Sequence, residues 1–158
     1  MPNWCQNTLV LKHSDPAMIK RVETAFADGK LFEEFIPNEG DPENWYTHNI
    51  SEWGTKWDVG SPDGINEVTE DTIVLYFDSA WSPPTNGYER LMEMGFEVEA
   101  TYHEGGMAFC GMWDNGRDDH YEYGGLSAEE VTEQIPSELD ECYGISEQVA
   151  QYGSDEEE

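Results

Sequence analysis

Several segments of the chain have the residue pattern of β-strands, with hydrophobic and polar positions alternating or a short apolar run between turn residues. The predicted strands cover residues 4–11, 45–58, 72–77, 96–102 and 107–113. The second of these, over residues 45–58, is rich in aromatic residues and is predicted to be extended, with Gly54 at a bulge. The fifth returns antiparallel to the fourth after a turn at Gly105 and Gly106.

Two segments repeat apolar residues at helical spacing. The first predicted helix follows Ser14, its expected N-cap, and ends at Gly29. The second follows Pro84 and ends at Gly95. The apolar residues of the two helices are Met18, Ile19, Val22, Ala25 and Phe26 in the first and Tyr88, Leu91 and Met92 in the second.

The character of the chain changes after residue 124. Ser127 and Glu130 form a predicted capping box for a short helix that Pro136 ends. One more short helix is predicted within residues 137–152. Residues 154–158 are predicted to be a disordered acidic tail.

The order of these elements predicts an α+β fold. This order suits a ferredoxin-like antiparallel sheet with two helices on one face and an added strand, because it runs strand, helix, strand, strand, helix, strand, strand. The predicted units are a ferredoxin-like domain over residues 1–123, an acidic C-terminal helical extension over 124–153 and the tail over 154–158. Six Trp, eight Tyr and six Phe supply the core, although only 37% of the residues are hydrophobic.

Charge is the most unusual property of the composition. Thirty-five Asp and Glu against seven Lys and Arg give a formal net charge of -28. Such a charge repels nucleic acids and anionic membranes and attracts basic protein surfaces. A folded chain of this mass exposes about 8,000 Å², or about 290 Å² per net charge. Duplex DNA has about 110 Å² per charge, so imitation of DNA requires that the acids cluster.

The acids do cluster along the sequence. No Lys or Arg follows Arg117, and a second stretch without basic residues runs over residues 31–55. Carboxylates of these stretches are the candidate binding residues of an acidic face. They are Glu33, Glu34, Glu39, Asp41, Glu43, Asp118, Asp119, Glu122, Glu129, Glu130, Glu133, Glu138, Asp140 and Glu141.

A second candidate site is aromatic. Trp53, Lys56, Trp57 and Trp81 suggest a tryptophan-lined pocket with Lys56 or Asp58 at its lip, since Trp53 and Trp57 share one face of a strand. The alternative is that these tryptophans cover the sheet and that Lys56 pairs with a carboxylate.

Motifs for metals, cofactors and catalysis are missing from the sequence. The histidines are scattered, no Cys-x₂-Cys spacing occurs, and no nucleophile elbow or phosphate-binding loop is present. Cys5 and Cys110 are expected on adjacent strands. Their proximity there would be explained equally well by a metal site or by two small residues that are simply buried. Residues 114–120 have the acid density of a weak divalent-cation loop or of a solvated loop, but not the spacing of an EF-hand. We therefore predict no metal, no cofactor and no enzymatic activity.

The cysteine count and the N-terminus bear on the compartment. Three cysteines without a close pair argue against a disulfide scaffold. The N-terminus lacks the pattern of a signal peptide, and no apolar run is long enough to cross a membrane. We expect a cytoplasmic protein with no membrane partner, and the oligomeric state is left open.

Four segments in order resemble a known family. They are MPNWCQN at residues 1–7, WGTKWD at 53–58, FDSAWSPP at 77–84, and YHEGG at 102–106 followed by FCG at 109–111. Together they are similar to the YubB-type ferredoxin-like family of plasmid and phage proteins, over residues 1–113. The resemblance implies a ferredoxin-like fold and an origin in a mobile element. It implies no activity, and the acidic segment beyond Tyr123 lies outside it.

Three hypotheses for function follow. The first is a non-enzymatic acidic protein that docks on a basic surface of a host protein. Where that surface normally holds DNA or RNA, the protein acts as a nucleic-acid mimic and inhibits host defence or another nucleic-acid-binding protein. The second is a small-ligand-binding protein or enzyme that uses the tryptophan-lined face. The third is a domain adapted to high salt whose charge has no specific partner. Direct binding of nucleic acid is disfavoured by the charge.

Overall fold

The computed structural model describes residues 4–37 and 42–156 of the chain. Over these residues the protein has an α+β fold with a six-stranded antiparallel sheet and seven α-helices. The strands are β1 (Trp4–Lys12), β2 (Ile65–Val68), β3 (Thr72–Ala80), β4 (Glu97–Glu104), β5 (Phe109–Asp114) and β6 (Arg117–Glu122). The helices are α1 (Pro16–Ala27), α2 (Leu31–Phe35), α3 (Trp45–His48), α4 (Thr85–Glu93), α5 (Ala128–Gln134), α6 (Ser137–Tyr143) and α7 (Ile145–Glu156).

The strands follow the order β2-β3-β1-β4-β5-β6, and all neighbours are antiparallel. β1 lies inside the sheet, where Leu9 is opposite Leu75 of β3 and Ala100 of β4. The alternation in the sequence of β1 thus corresponds to alternating burial, as expected for a strand whose side chains point to opposite faces in turn.

One face of the sheet carries the main hydrophobic core. α1, α2 and α4 pack on this face, so α1 and α4 lie on one side, as the element order predicted. Asp15, not the expected Ser14, is the N-cap of α1 and accepts a hydrogen bond from the backbone N of Ala17 at 3.0 Å. Pro16 opens the helix, which leaves the preceding residue in the cap position. Buried core residues from β1, α1, α2 and α4 include Leu9, Leu11, Ile19, Val22, Phe26, Leu31, Phe32, Tyr88 and Leu91.

The opposite face of the sheet is covered by the C-terminal helices. Cys110 of β5 and Leu139 of α6 are fully buried in a second hydrophobic cluster. This cluster also contains Tyr123, Val131, Ile135 and Ile145. The C-terminal helices therefore pack on the sheet through their apolar side, and removing them would expose Cys110.

Residues 45–53 are helical, so the prediction of an extended segment over 45–58 was wrong. After α3 the chain makes a π-helical turn (Asn49–Trp53) that ends at Gly54 with φ 83°. The amide of Asn86, on α4, donates to the carbonyls of Ile50 and Ser51 at 3.3 and 3.2 Å. These contacts with a distant helix hold the segment helical despite its aromatic, strand-like composition.

Two strands were missed by the sequence interpretation. β2 is short and polar, and β6 lies in the acidic segment that was expected to be a loop. The hairpin between β5 and β6 turns at Asn115 and Gly116, whose φ values of 46° and 103° suit an Asn-Gly two-residue turn. The high charge of β6 hid this turn signal.

The C-terminal segment contains three helices. The predicted capping box of α5 is present, with Ser127 accepting from the backbone N of Glu130 and Glu130 accepting from that of Ser127. Residues 137–152 were predicted to hold one short helix but contain two, because Gly144 takes a left-handed conformation with φ 63° between α6 and α7. α7 continues to Glu156, where the sequence predicted a disordered tail from residue 154, since extending a formed helix costs little.

Candidate binding surfaces

Exposed carboxylates of α5 and α6 form what we call the C-terminal acidic surface. Its members are Glu129, Glu130, Glu133, Glu138 and Glu141, with Asp140 half-buried beside them. Of the predicted acids on β6, Asp118 and Glu122 point to the main-core face of the sheet, opposite to α5 and α6, and half-buried Asp119 points to the face that these helices cover. The structure therefore brings the acids of α5 and α6 together but separates Asp118 and Glu122 from them.

Some of these carboxylates hold the protein's own structure. Asp118 accepts from the hydroxyl of Tyr102 at 2.6 Å, and Asp140 accepts from the backbone N of Ser146 at 2.7 Å. Asp119 forms an ion pair with Arg117 at 3.3 Å. Four others have no cation within ion-pair distance among residues 4–37 and 42–156. They are Glu129, Glu133, Glu138 and Glu141.

The second predicted group of acids lies elsewhere. Glu33 and Glu34 are exposed on α2, which packs on the main-core face of the sheet, whereas α5 and α6 cover the other face. Glu34 also forms an ion pair with Arg21 at 2.7 Å. The sheet thus separates the two groups, and they do not make one acidic face. Glu43 is exposed next to α3, and Glu39 and Asp41 lie outside the described residues.

A buried polar cluster holds the C-terminal helices on the sheet. The imidazole of His103 stacks on the rings of Tyr123 and Tyr143, with centroids 5.7 and 5.4 Å apart. The Tyr143 hydroxyl hydrogen-bonds with Thr101 at 2.9 Å and with Thr8 at 3.4 Å. Burial lowers the pKa of His103, which favours the neutral ring. Sequence reasoning missed this cluster because its members are far apart in the chain.

Trp53 does not belong to the predicted aromatic pocket. It is buried in the main core, and its Nε1 donates to the carbonyl of Ile36 at 2.9 Å. Because it lies in a π-helical turn and not in a strand, it does not share a face with Trp57. The expected Trp53–Trp57 pair is therefore wrong.

Lys56 instead lies among three exposed rings, which we call the aromatic cage. Its ammonium is 4.6 Å from the ring centroid of Trp57, 5.7 Å from that of Trp81 and 5.8 Å from that of Tyr46. Among the residues that the structure describes, Lys56 has no carboxylate within 4.0 Å. Lys12 and Lys30 also have no ion pair among the described residues, so the three ring contacts are what distinguish Lys56, and cation–π attraction holds it here.

Trp81 occupies a strained turn at the end of β3. Its φ of 67° is unusual for a bulky residue, and the backbone N of Ser82 donates to the carbonyl of Ala80 at 2.8 Å across it. Ser79 holds the turn by donating to the carbonyl of Ser82 at 2.6 Å. Asn7 in turn donates to Ser79 at 2.9 Å. The turn directs an exposed ring toward Lys56 at a cost in backbone strain.

A cleft of about 550 Å³ lies beside the aromatic cage. It is bounded by Trp4, by the loop over residues 57–64 and by the end of β3. The rings of Trp4 and Trp57 are 5.9 Å apart at one end. Asp58 does not lie free at its lip as a binding group. Its carboxylate accepts from the backbone N of Phe32 and of Glu33, each at 2.8 Å, and caps α2.

The predicted metal-binding candidates do not assemble. Within the described ranges, no group of three His, Cys, Asp or Glu side chains is arranged to hold a metal ion. Cys5 and Cys110 are not on adjacent strands, because β4 separates β1 from β5, and their side chains point to opposite faces. Residues 114–120 belong to the β5–β6 hairpin and not to a loop.

The comparisons with known proteins found no matching family model, no matching curated protein and no matching solved structure. In the part of the chain that the structure describes, no helix combines the length and the apolarity needed to cross a membrane.

Proposed function

We propose that this is a non-enzymatic binding protein whose C-terminal acidic surface docks on a basic surface of another protein. The observation that supports this most is the set of unpaired carboxylates on α5 and α6. These helices are packed on the sheet through their own hydrophobic cluster, so the backbone positions that carry the carboxylates are fixed relative to one another. Preorganised charges of one sign speed association with an oppositely charged partner.

The density of charge supports a local nucleic-acid mimic and not a uniform one. Dividing the accessible surface of 8971 Å² by the net charge of -28 gives about 320 Å² per charge, against about 110 Å² for duplex DNA. A local mimic therefore needs a more concentrated region, for which the C-terminal acidic surface is the candidate. A host protein that holds DNA or RNA, including one of host defence, is therefore the partner class that we propose.

The fold and the origin are part of the same proposal. The order β2-β3-β1-β4, with α1 and α4 in the connections from β1 to β2 and from β3 to β4, supports a ferredoxin-like unit. We propose that β5 and β6 extend this unit and that α5–α7 form an acidic extension on its second face. The resemblance to YubB-type proteins supports an origin in a phage or plasmid and action in the host cytoplasm.

Charge neutralisation tests the docking proposal. The variant carries Glu129→Gln, Glu133→Gln, Glu138→Gln and Glu141→Gln. A control carries Asp28→Asn, Glu67→Gln, Glu70→Gln and Glu89→Gln, which remove the same charge from other exposed positions. Affinity capture from a bacterial lysate at about 50 mM and about 500 mM salt should return basic proteins with the wild type and the control, mainly at low salt. Equal capture by the two variants would contradict the proposal.

Truncation after Tyr123 is not a suitable substitute for these substitutions. Truncation would remove the acidic surface and keep the tryptophan-lined face, so it would in principle separate these two hypotheses. Since α5–α7 cover Cys110 and Met112, truncation would also expose a hydrophobic face and destabilise the sheet. Loss of binding would then have two causes.

The aromatic cage favours a second candidate function, binding of a small ligand by the tryptophan-lined face. Its support is Lys56, which has three ring neighbours and no described carboxylate partner and is therefore available to an anionic ligand. Under this hypothesis Lys56→Met abolishes binding and the neutralised α5–α6 variant retains it. The docking proposal predicts the opposite pattern.

Adaptation to high salt is the third candidate. It predicts a large rise of the melting temperature with salt, without any partner, because screening relieves self-repulsion. It also predicts that both neutralised variants gain the same stability. A gain in stability confined to the neutralised α5–α6 variant would indicate that charge is concentrated on these two helices, as docking requires.

A further inference from the structure

The outer edge of β3 is open over its second half. β1 pairs with the full length of β3, from Thr72 to Ala80. On the other side, β2 reaches only Ile73–Leu75. Residues 76–80 therefore have a neighbouring strand on one side alone.

The backbone groups on this edge face the cleft. A Cβ atom placed on Gly64 would collide with the carbonyl oxygen of Tyr76, so this oxygen points toward the loop and away from β1. Residues two apart in a strand direct their backbone groups the same way, so Asp78 and Ala80 also face the cleft. The carbonyl of Ala80 is used in the turn at Trp81. Gly64 lies directly opposite Tyr76 and covers its backbone. Asp78 therefore presents both its N–H and its carbonyl to the cleft, and Ala80 presents its N–H.

The loop over residues 57–64, which would otherwise cover this edge, is held away from it. Gly60 lies so close to α1 that a Cβ atom there would collide with the carbonyl of Phe26, and its φ is 135°. The loop reaches the strand only near Gly64. The cleft of about 550 Å³ lies between the loop and the strand.

The side chains around the cleft are acidic and aromatic. Asp63 and Asp78 are exposed and have no cation within ion-pair distance among the described residues. Partial desolvation at the edge of the cleft raises the pKa of Asp78, and a cationic partner would reverse this shift. The exposed ring of Trp4 offers a cation–π contact at one end, whereas the ring of Trp57 already contacts Lys56.

We propose that the open edge of β3 binds an extended, Lys- or Arg-bearing segment of a partner protein, which adds to the sheet as a strand. Backbone hydrogen bonds to Asp78 and to the N–H of Ala80 would hold this segment, and the carboxylates and Trp4 would select its basic side chains. A second copy of this chain is the poorer occupant, because each copy has a net charge of -28. The inference rests on the proposed function, since it names how part of a basic partner is held.

Synthetic peptides test this inference. The probe is an acetylated heptapeptide of alternating Arg and Val, and its control has N-methyl groups on alternate residues, which block strand pairing but keep the charge. Hydrogen exchange of ¹⁵N-labelled wild-type protein should slow at the Asp78 and Ala80 amides with the probe. The N-methylated peptide should bind at least about tenfold more weakly. Equal binding of the two peptides, or no protection of these amides, would overturn the inference.

Asp78→Pro provides a matched protein variant. Proline is tolerated on an edge strand where its missing N–H faces outward. The variant should melt cooperatively near the wild-type temperature and lose the probe, whereas Asp78→Asn should keep strand pairing with weaker binding. An Asp78→Pro variant that fails to fold counts against the inference, because its N–H would then be in use.

The same experiments separate this inference from the proposed function. The neutralised α5–α6 variant retains an intact β3 edge, so it should still bind the Arg–Val probe while losing lysate partners. If lysate capture depends on α5 and α6 but the probe does not protect the edge, only the strand-addition inference fails. If the probe binds but both neutralised variants capture the same lysate proteins as the wild type, only the docking proposal fails.

Discussion

Nε2 of His103 and the hydroxyl of Tyr123 share a hydrogen bond of 2.6 Å inside the protein. His103 belongs to β4, and Tyr123 directly follows β6 and contributes to the hydrophobic cluster beneath the acidic helices. The bond therefore connects the sheet to the element that carries the C-terminal acidic surface.

Loss of this bond should destabilise the protein. Tyr123→Phe leaves a buried imidazole nitrogen without its partner, so we expect the free energy of unfolding to fall by about 1–2 kcal/mol. Urea denaturation measures the change. The control is Tyr121→Phe, a half-buried residue of the same strand region, which should change stability by less than about 0.5 kcal/mol. Equal effects of the two substitutions would show that the His103 bond has no special weight.

The buried imidazole should also make stability depend on pH. Burial lowers the pKa of His103 below its ordinary value of 6.5. The unfolded chain therefore takes up a proton first as pH falls, and the stabilisation present above pH 6.5 is lost progressively below it. Urea midpoints should decline between about pH 7 and about pH 5.5 in the wild type. A slope that persists undiminished in His103→Gln would assign it to other groups.

Removal of the Tyr88 hydroxyl should be harmless or stabilising. The ring is fully buried against Trp113, and its hydroxyl has no hydrogen-bond partner among the residues described. Burial raises the pKa of this phenol, so the group stays neutral. We expect Tyr88→Phe to keep the stability or raise it by up to about 2 kcal/mol, since no bond is lost.

Tyr102→Phe is the matched control for this substitution. It removes a hydroxyl that donates to Asp118 at 2.6 Å, so it should lower stability by about 1 kcal/mol or more. Thermal melts of the two variants should therefore shift in opposite directions or differ clearly. A larger loss for Tyr88→Phe than for Tyr102→Phe would mean that the Tyr88 hydroxyl does stabilise the folded protein.

The backbone of Trp81 makes glycine preferable to alanine at that position. A φ of 67° costs an L-residue about 1 kcal/mol relative to glycine. Trp81→Gly should therefore be more stable than Trp81→Ala by about that amount in chemical denaturation. At the exposed Trp45, in α3, the order should reverse because glycine weakens helices. The same order at both positions would argue against the strained turn.

Local sequence determined the elements whose signals are complete within a few residues. The apolar alternation of β1, the helical spacing of α1 with Gly29 at its end and the Ser127–Glu130 capping box all have their counterparts in the structure. Each depends on contacts between near neighbours, which periodicity and capping chemistry describe well.

The tertiary structure decides which residues share a surface. The excess of acids after Arg117 was visible in the sequence, but the sheet that separates the acids of α5 and α6 from Glu33 and Glu34 was not. Likewise, the segment WGTKWD contains both Trp53 and Lys56, yet one residue enters the core and the other reaches the aromatic cage.

The sequence by itself determined the α+β class, the main elements and the large negative charge of this protein. The tertiary structure decided which carboxylates share a surface, which rings surround Lys56 and where β3 lacks a neighbour. These properties depend on contacts between residues far apart in the chain. Local propensity carries no information about such contacts, because packing against distant elements overrides it.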